Sequence, residues 1–182
     1  MPIPIEQLQD ILERSLNEFF RREGEALVGG VSERSSCARL ATYMDRIAAE
    51  SGLKGYFADT EYNRKQGGQV KTILGKDMKA ITITSDLILH SRGQNLAEDN
   101  LIAIEMKKSN TPAQHKNDDR DRLRAMTKSS YDNIWSNDGT TFPEHVCGYR
   151  LGAYIELNNR TRKASVEYFI GGEPAGSDSR SY

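Results

Sequence analysis

The chain has 182 residues, 37% apolar and 28% charged, which suits one folded domain with its own core rather than a disordered chain. Its 25 basic and 26 acidic residues leave a net charge of −1, which excludes a strongly basic nucleic-acid coat but not a local basic groove. Cys37 and Cys147 are too few for a disulfide framework or a zinc set. With no apolar run near the roughly 20 residues that span a bilayer, and no signal pattern at the start, a cytoplasmic location is expected.

Ile5, Leu8, Ile11, Leu12, Leu16, Phe19 and Phe20 follow Pro4 at helical spacing, which predicts a first helix ending at Gly24. Ser32 is a good N-cap for a second helix, whose stripe is Cys37, Leu40, Ala41, Met44, Ile47 and Ala48. Glu33 lies four residues before Cys37, near that stripe. It is either an acid at the positive end of the helix dipole or a carboxylate aimed at a site behind that face.

Residues 55–62 read as a strand, and Asn63 to Lys79 as a glycine-punctuated loop carrying Arg64, Lys65, Lys71, Lys76 and Lys79. Ile81 to Leu89 reads as a strand bearing Asp86, and residues 100–109 as the central strand. A short turn between these two predicts an antiparallel hairpin. Alternation puts Leu101, Ala103, Glu105 and Lys107 on one face of the central strand and Ile102, Ile104 and Met106 on the other. A helix over Asn117 to Lys128 and strands over Tyr149 to Leu157 and Ala164 to Ile170 complete a single domain over 1–170, with 171–182 as a flexible C-terminal tail.

A carboxylate buried at the end of such a strand is costly unless it is paired or holds a metal. Asp86, Glu105 and the carbonyl of Met106 are oxygen ligands of the kind Mg2+ takes, leaving room for water and substrate phosphate. Lys107, one pleat repeat from Glu105, is placed to orient or deprotonate an attacking water, or to neutralise a phosphate in the transition state. A structural ion pair at a sheet edge is the plain alternative for any one of these residues. The histidines His90, His115 and His145 are too scattered for a zinc site, and no phosphate-binding glycine loop ends in Lys-Ser or Lys-Thr. Trp135 and Tyr131 read as core aromatics rather than base-stacking platforms.

The helix with Glu33, the strand, the Asp86 strand, the Glu105-Met106-Lys107 strand, the helix and the final strand resemble the PD-(D/E)XK nuclease superfamily over roughly residues 30 to 157. The resemblance implies an α/β restriction-endonuclease-like core, a four-stranded mixed sheet flanked by helices in the order α-β-β-β-α-β, here with an extra N-terminal helix and C-terminal strand. It also implies Mg2+-dependent hydrolysis of nucleic acid, with Mn2+ as a substitute and DNA ahead of RNA. Asp86 and Glu105 would bind the metal, Lys107 would be the catalytic lysine, and Glu33 the additional acid that some members carry. Ser85 stands where the family has proline.

Glu61-Tyr62-Asn63-Arg64, Glu105 to Ser109 and Asp119 to Arg124 look similar to small bacterial members, in which Glu61, Arg64, Lys108, Asp121 and Arg122 would line or support the site. A place in anti-phage defence or repair, as a homodimer or within a larger complex, fits the resemblance. The rival expectation is an inactive module of the same fold that binds nucleic acid or a partner protein.

Overall fold

A computed structural model describes residues 2–62, 84–128 and 147–182, and the backbone of 72–74 and 80–82. The described residues form an α/β protein of three α-helices and an open, six-stranded mixed sheet. The elements are α1 (Ile5–Val28), α2 (Glu33–Glu50), β1 (Phe57–Tyr62), β2 (Thr72–Leu74), β3 (Ala80–Thr82), β4 (Ser85–His90), β5 (Asn100–Lys108), α3 (Ala113–Thr127), β6 (Leu151–Asn158), β7 (Lys163–Ile170) and β8 (Glu173–Ser181). The sheet order is β1-β4-β5-β6-β7-β8, antiparallel throughout except for the parallel β5/β6 pair. The chain between β5 and β6 carries α3, because parallel neighbours need a crossover. No helix among the described residues is long and apolar enough to cross a membrane.

α1 and α2 cover one face. Their stripes, Leu8, Ile11, Leu12, Leu16 and Phe19 with Leu40 and Met44, are buried in one cluster with Leu87, Ile102, Ile104, Met106 and Ile155. α3 covers the other face, where Leu123 and Met126 meet Ile88, Ala103, Tyr154 and Phe169. Ser32 caps α2 as expected, its Oγ accepting from Ser35 N at 3.1 Å. That cap fixes where Glu33 begins the helix.

Several expectations are corrected. α1 runs through Gly24 to Val28: one glycine weakens a helix by only about 1 kcal/mol. Here it leaves room for the main chain of Tyr182, which would lie 3.3 Å from an added Cβ. The strand expected over 81–89 is two elements, since Ala80–Thr82 pairs with Thr72–Leu74 in a separate hairpin and the sheet strand starts at Ser85. Leu101 joins the α1/α2 cluster rather than the face of Ala103. The register slips between Leu89 and His90, pairing Leu89 with Ile102 but His90 with Asn100, so Leu101 is the extra residue of a bulge.

α3 begins at Ala113, immediately after Pro112. The segment expected to be a flexible tail forms β8. It pairs antiparallel with β7 and is held at its end by Arg180, which donates to Asn17 Oδ1 at 2.8 Å, and by Tyr182, whose ring stacks on Phe20 at 5.4 Å. The expectations on the 63–79 loop, including Arg64, and on Tyr131, Trp135 and His145, fall outside the residues whose side chains are described.

Candidate functional site

The β4/β5 register pairs Leu87 with Ile104. One residue further along, Asp86 and Glu105 share the α3 face at the end of the hairpin. Asp86 Oδ2 accepts from Met106 N at 2.9 Å and lies 3.3 Å from Lys107 Nζ. Lys107 Nζ also donates to the Met106 carbonyl at 3.2 Å. From α2, Glu33 Oε1 accepts from Lys108 N at 2.9 Å while its Oε2 lies 3.8 Å from Lys107 Nζ. Asp86, Glu105, Met106, Lys107 and Glu33, drawn from three elements, are therefore brought together.

α3 closes the cluster from above. Arg122 Nη1 donates to Glu105 Oε1 at 2.9 Å and lies 3.1 Å from Asp119 Oδ1. Asp119 Oδ2 in turn lies 3.3 Å from Lys107 Nζ. Asp119 is the residue sequence reasoning missed. Its signal was helical spacing: Asp119, Arg122, Leu123 and Met126 fall at i, i+3, i+4 and i+7, one face of a helix. Asp121, singled out instead, is half-buried and about 200° round the helix from Asp119.

The remaining expected residues divide. Arg122 is in the cluster. Lys108 points to the α2 side, where its Nζ donates to Gly30 O at 3.1 Å. Glu61 is on the exposed surface, held by Arg34, whose Nε donates to its Oε1 at 2.7 Å.

Four acids face two cations: Asp86, Glu105, Asp119 and Glu33 against Lys107 and Arg122. Glu105 is fully buried, and burial followed by the charge of Asp86 pushes its pKa well above the ordinary value, against the pull of Arg122. Burial likewise raises Asp119, against Lys107 and Arg122. For Lys107, burial works to release the proton, but the charges of Asp86, Asp119 and Glu105 outweigh it and raise the pKa. Glu105 Oε2 is buried with no hydrogen-bond partner among the described residues, a costly state for a carboxylate oxygen.

An unpartnered buried carboxylate oxygen beside an excess of negative charge suits a hard divalent cation. The donor set is one such a cation accepts: the carboxylates of Asp86 and Glu105 and the Met106 carbonyl. Among the described residues no group of three or more His, Cys, Asp or Glu side chains is placed to hold a metal by itself. Mg2+ is commonly bound by one or two carboxylates with water and substrate phosphate, so this donor set is adequate for it. Compared with known proteins, the chain matches no family model, no curated protein and no solved structure at a significant level.

Proposed function

We propose that the chain is a Mg2+-dependent nuclease of the restriction-endonuclease-like kind, hydrolysing phosphodiester bonds in nucleic acid, DNA ahead of RNA. The observation that carries this reading is the convergence on Lys107 Nζ of Asp86 Oδ2 and the Met106 carbonyl, within 3.3 Å at the end of one hairpin. The element order α2-β1-β4-β5-α3-β6, with β5 and β6 parallel and the other neighbours antiparallel, supports it, as does Glu33 reaching the cluster from α2.

Asp86, Glu105 and the Met106 carbonyl would hold the ion, which when bound supplies an acidified water and charge stabilisation on phosphate. Lys107 keeps its proton at Nζ because carboxylates surround it. Its part is to donate hydrogen bonds to the attacking water or a phosphate oxygen, rather than to take a proton. Arg122 fixes the Glu105 carboxylate through Oε1 and leaves Oε2 free to bind.

A second reading, a fold-mate that binds nucleic acid or a partner protein without cleaving, draws on one observation: Lys107 and Arg122 already pair with the buried acids. Incubating labelled DNA and RNA with Mg2+ or Mn2+, beside a chelator control and Lys107→Ala, separates the two. Cleavage lost with the chelator and in the variant supports the enzyme. Salt-sensitive binding with no cleavage by the native chain supports the module.

A further inference from the structure

Four oxygens from four elements surround one ammonium. Lys107 Nζ lies 3.3 Å from Asp86 Oδ2 on β4, 3.2 Å from the Met106 carbonyl on β5, 3.3 Å from Asp119 Oδ2 on α3 and 3.8 Å from Glu33 Oε2 on α2. Carboxylate and carbonyl oxygens at one point are what a hard divalent cation takes, and here a side chain of the protein holds them. A second observation points to the same place. The fully buried Glu105, two residues earlier on the same strand face, has an Oε2 that no described group satisfies. An ammonium and a divalent ion cannot both sit on Asp86 Oδ2 and the Met106 carbonyl, because like charges a few ångströms apart in a partly buried site repel strongly.

Asp119 reaches Nζ from α3, and more closely than Glu33 does from α2, at 3.3 against 3.8 Å. Its Oδ1 is braced by Arg122 at 3.1 Å, which leaves Oδ2 aimed at Lys107 from α3, across the cluster from the strand oxygens. We propose that Lys107 is the resident counter-cation of this site, holding the ion's oxygens until a divalent ion displaces it, and that Asp119 is the positioning residue that retains the displaced ammonium beside the reacting phosphate. The inference deepens the nuclease reading and rests on its assignment of Asp86 and Met106 as ion ligands. It makes ion affinity the outcome of a competition within the chain, and it gives Asp119 a role through Lys107 rather than on the ion.

The test is a Mn2+ titration by calorimetry, paired with thermal melts with and without Mn2+, on the native chain, Lys107→Met, Asp119→Asn and the double variant. Lys107→Met is expected to bind Mn2+ about tenfold or more tightly than the native chain. It should also melt lower without the ion and gain more from Mn2+ than the native chain does. Asp119→Asn should weaken Mn2+ binding where Lys107 is present, and by clearly less in the Lys107→Met background.

Equal or weaker Mn2+ binding by Lys107→Met, with the native chain still binding, overturns the counter-cation and leaves the nuclease reading standing. The same loss from Asp119→Asn in both backgrounds overturns the role given to Asp119. Absence of Mn2+ binding by the native chain and by Lys107→Met alike overturns the metal-dependent reading, and the inference with it. If Lys107→Met does not fold, Lys107→Gln goes through the same titration, since it removes the charge and keeps a hydrogen-bond donor near Asp86.

Discussion

Arg122 Nη1 donates to Glu105 Oε1 at 2.9 Å, a helix guanidinium set against a strand carboxylate with no solvent exposure of its own. The same nitrogen lies 3.1 Å from Asp119 Oδ1, so one side chain braces two buried acids. This pairing also ties α3 to β5, and with it the upper and lower halves of the candidate site.

Replacing Arg122 with methionine keeps an unbranched apolar stem and removes the charged head, leaving Glu105 buried without that partner. Breaking a buried pair from one side costs about 3 kcal/mol or more. The urea midpoint of Arg122→Met is therefore expected to fall by that equivalent at neutral pH, and adding Glu105→Gln should recover most of the loss. An Arg122→Met protein as stable as the native chain would mean the guanidinium does not carry the buried acid.

The pH dependence follows from the same burial. Glu105 and Asp119 both have pKa values raised above their ordinary values of 4.5 and 3.8, burial being the first cause in each. Above those ordinary values and up to the raised ones, the folded state holds protons that the unfolded chain has lost, so stability falls as pH rises through the window. Asp59 and Glu61 act in the opposite sense. Hydrogen bonds from Arg92 and Arg34 lower their pKa values, and the stability they contribute is lost only as pH falls through those lowered values. Unfolding free energy should therefore decline as pH rises above the ordinary carboxylate values, and Glu105→Gln should flatten the decline. Parallel curves for the two proteins would show that the Glu105 proton is not linked to folding.

At Gly152 on β6, side chains of α3 pack directly against the strand backbone. A Cβ there would lie 3.0 Å from Thr127 Cγ2 and 3.2 Å from Phe169 Cβ, tighter than a packed interior accepts without movement. Gly152→Ala is expected to cost about 1–3 kcal/mol by overpacking. It would also push on the last turn of the helix that carries Asp119 and Arg122. A chemical-denaturation series on this single variant checks the magnitude, and no loss would mean α3 is free to shift outward.

Much of the site is legible in the sequence, because strand alternation alone sets Glu105 and Lys107 on one face, and a short turn brings Asp86 alongside. Glu33 was readable in part, since a capped helix start fixes its position but not what it faces. Asp119 was harder, because its partner Lys107 belongs to a strand, and only the docking of α3 decides which helical face meets it. β8 was not readable at all. Most of it is exposed, so no apolar alternation marks it, and its place depends on backbone pairing with β7 and on anchors at Arg180 and Tyr182. Alternation also fails at Leu101, where the bulge shifts the phase by one residue.

Asp86→Asn isolates the charge of one proposed ion ligand from its structural bond. Asparagine keeps an oxygen that accepts from Met106 N, the contact now made at 2.9 Å, so the hairpin should close as before. What is lost is the negative charge, and a hard cation held by one or two carboxylates depends on each of them. Mn2+ affinity measured by calorimetry should drop about tenfold or more, while the unfolding free energy stays within about 1 kcal/mol of the native chain. The reverse pattern, a loss of about 2–5 kcal/mol like that of a core cavity with Mn2+ binding untouched, would make Asp86 a structural acid and remove it from the metal site.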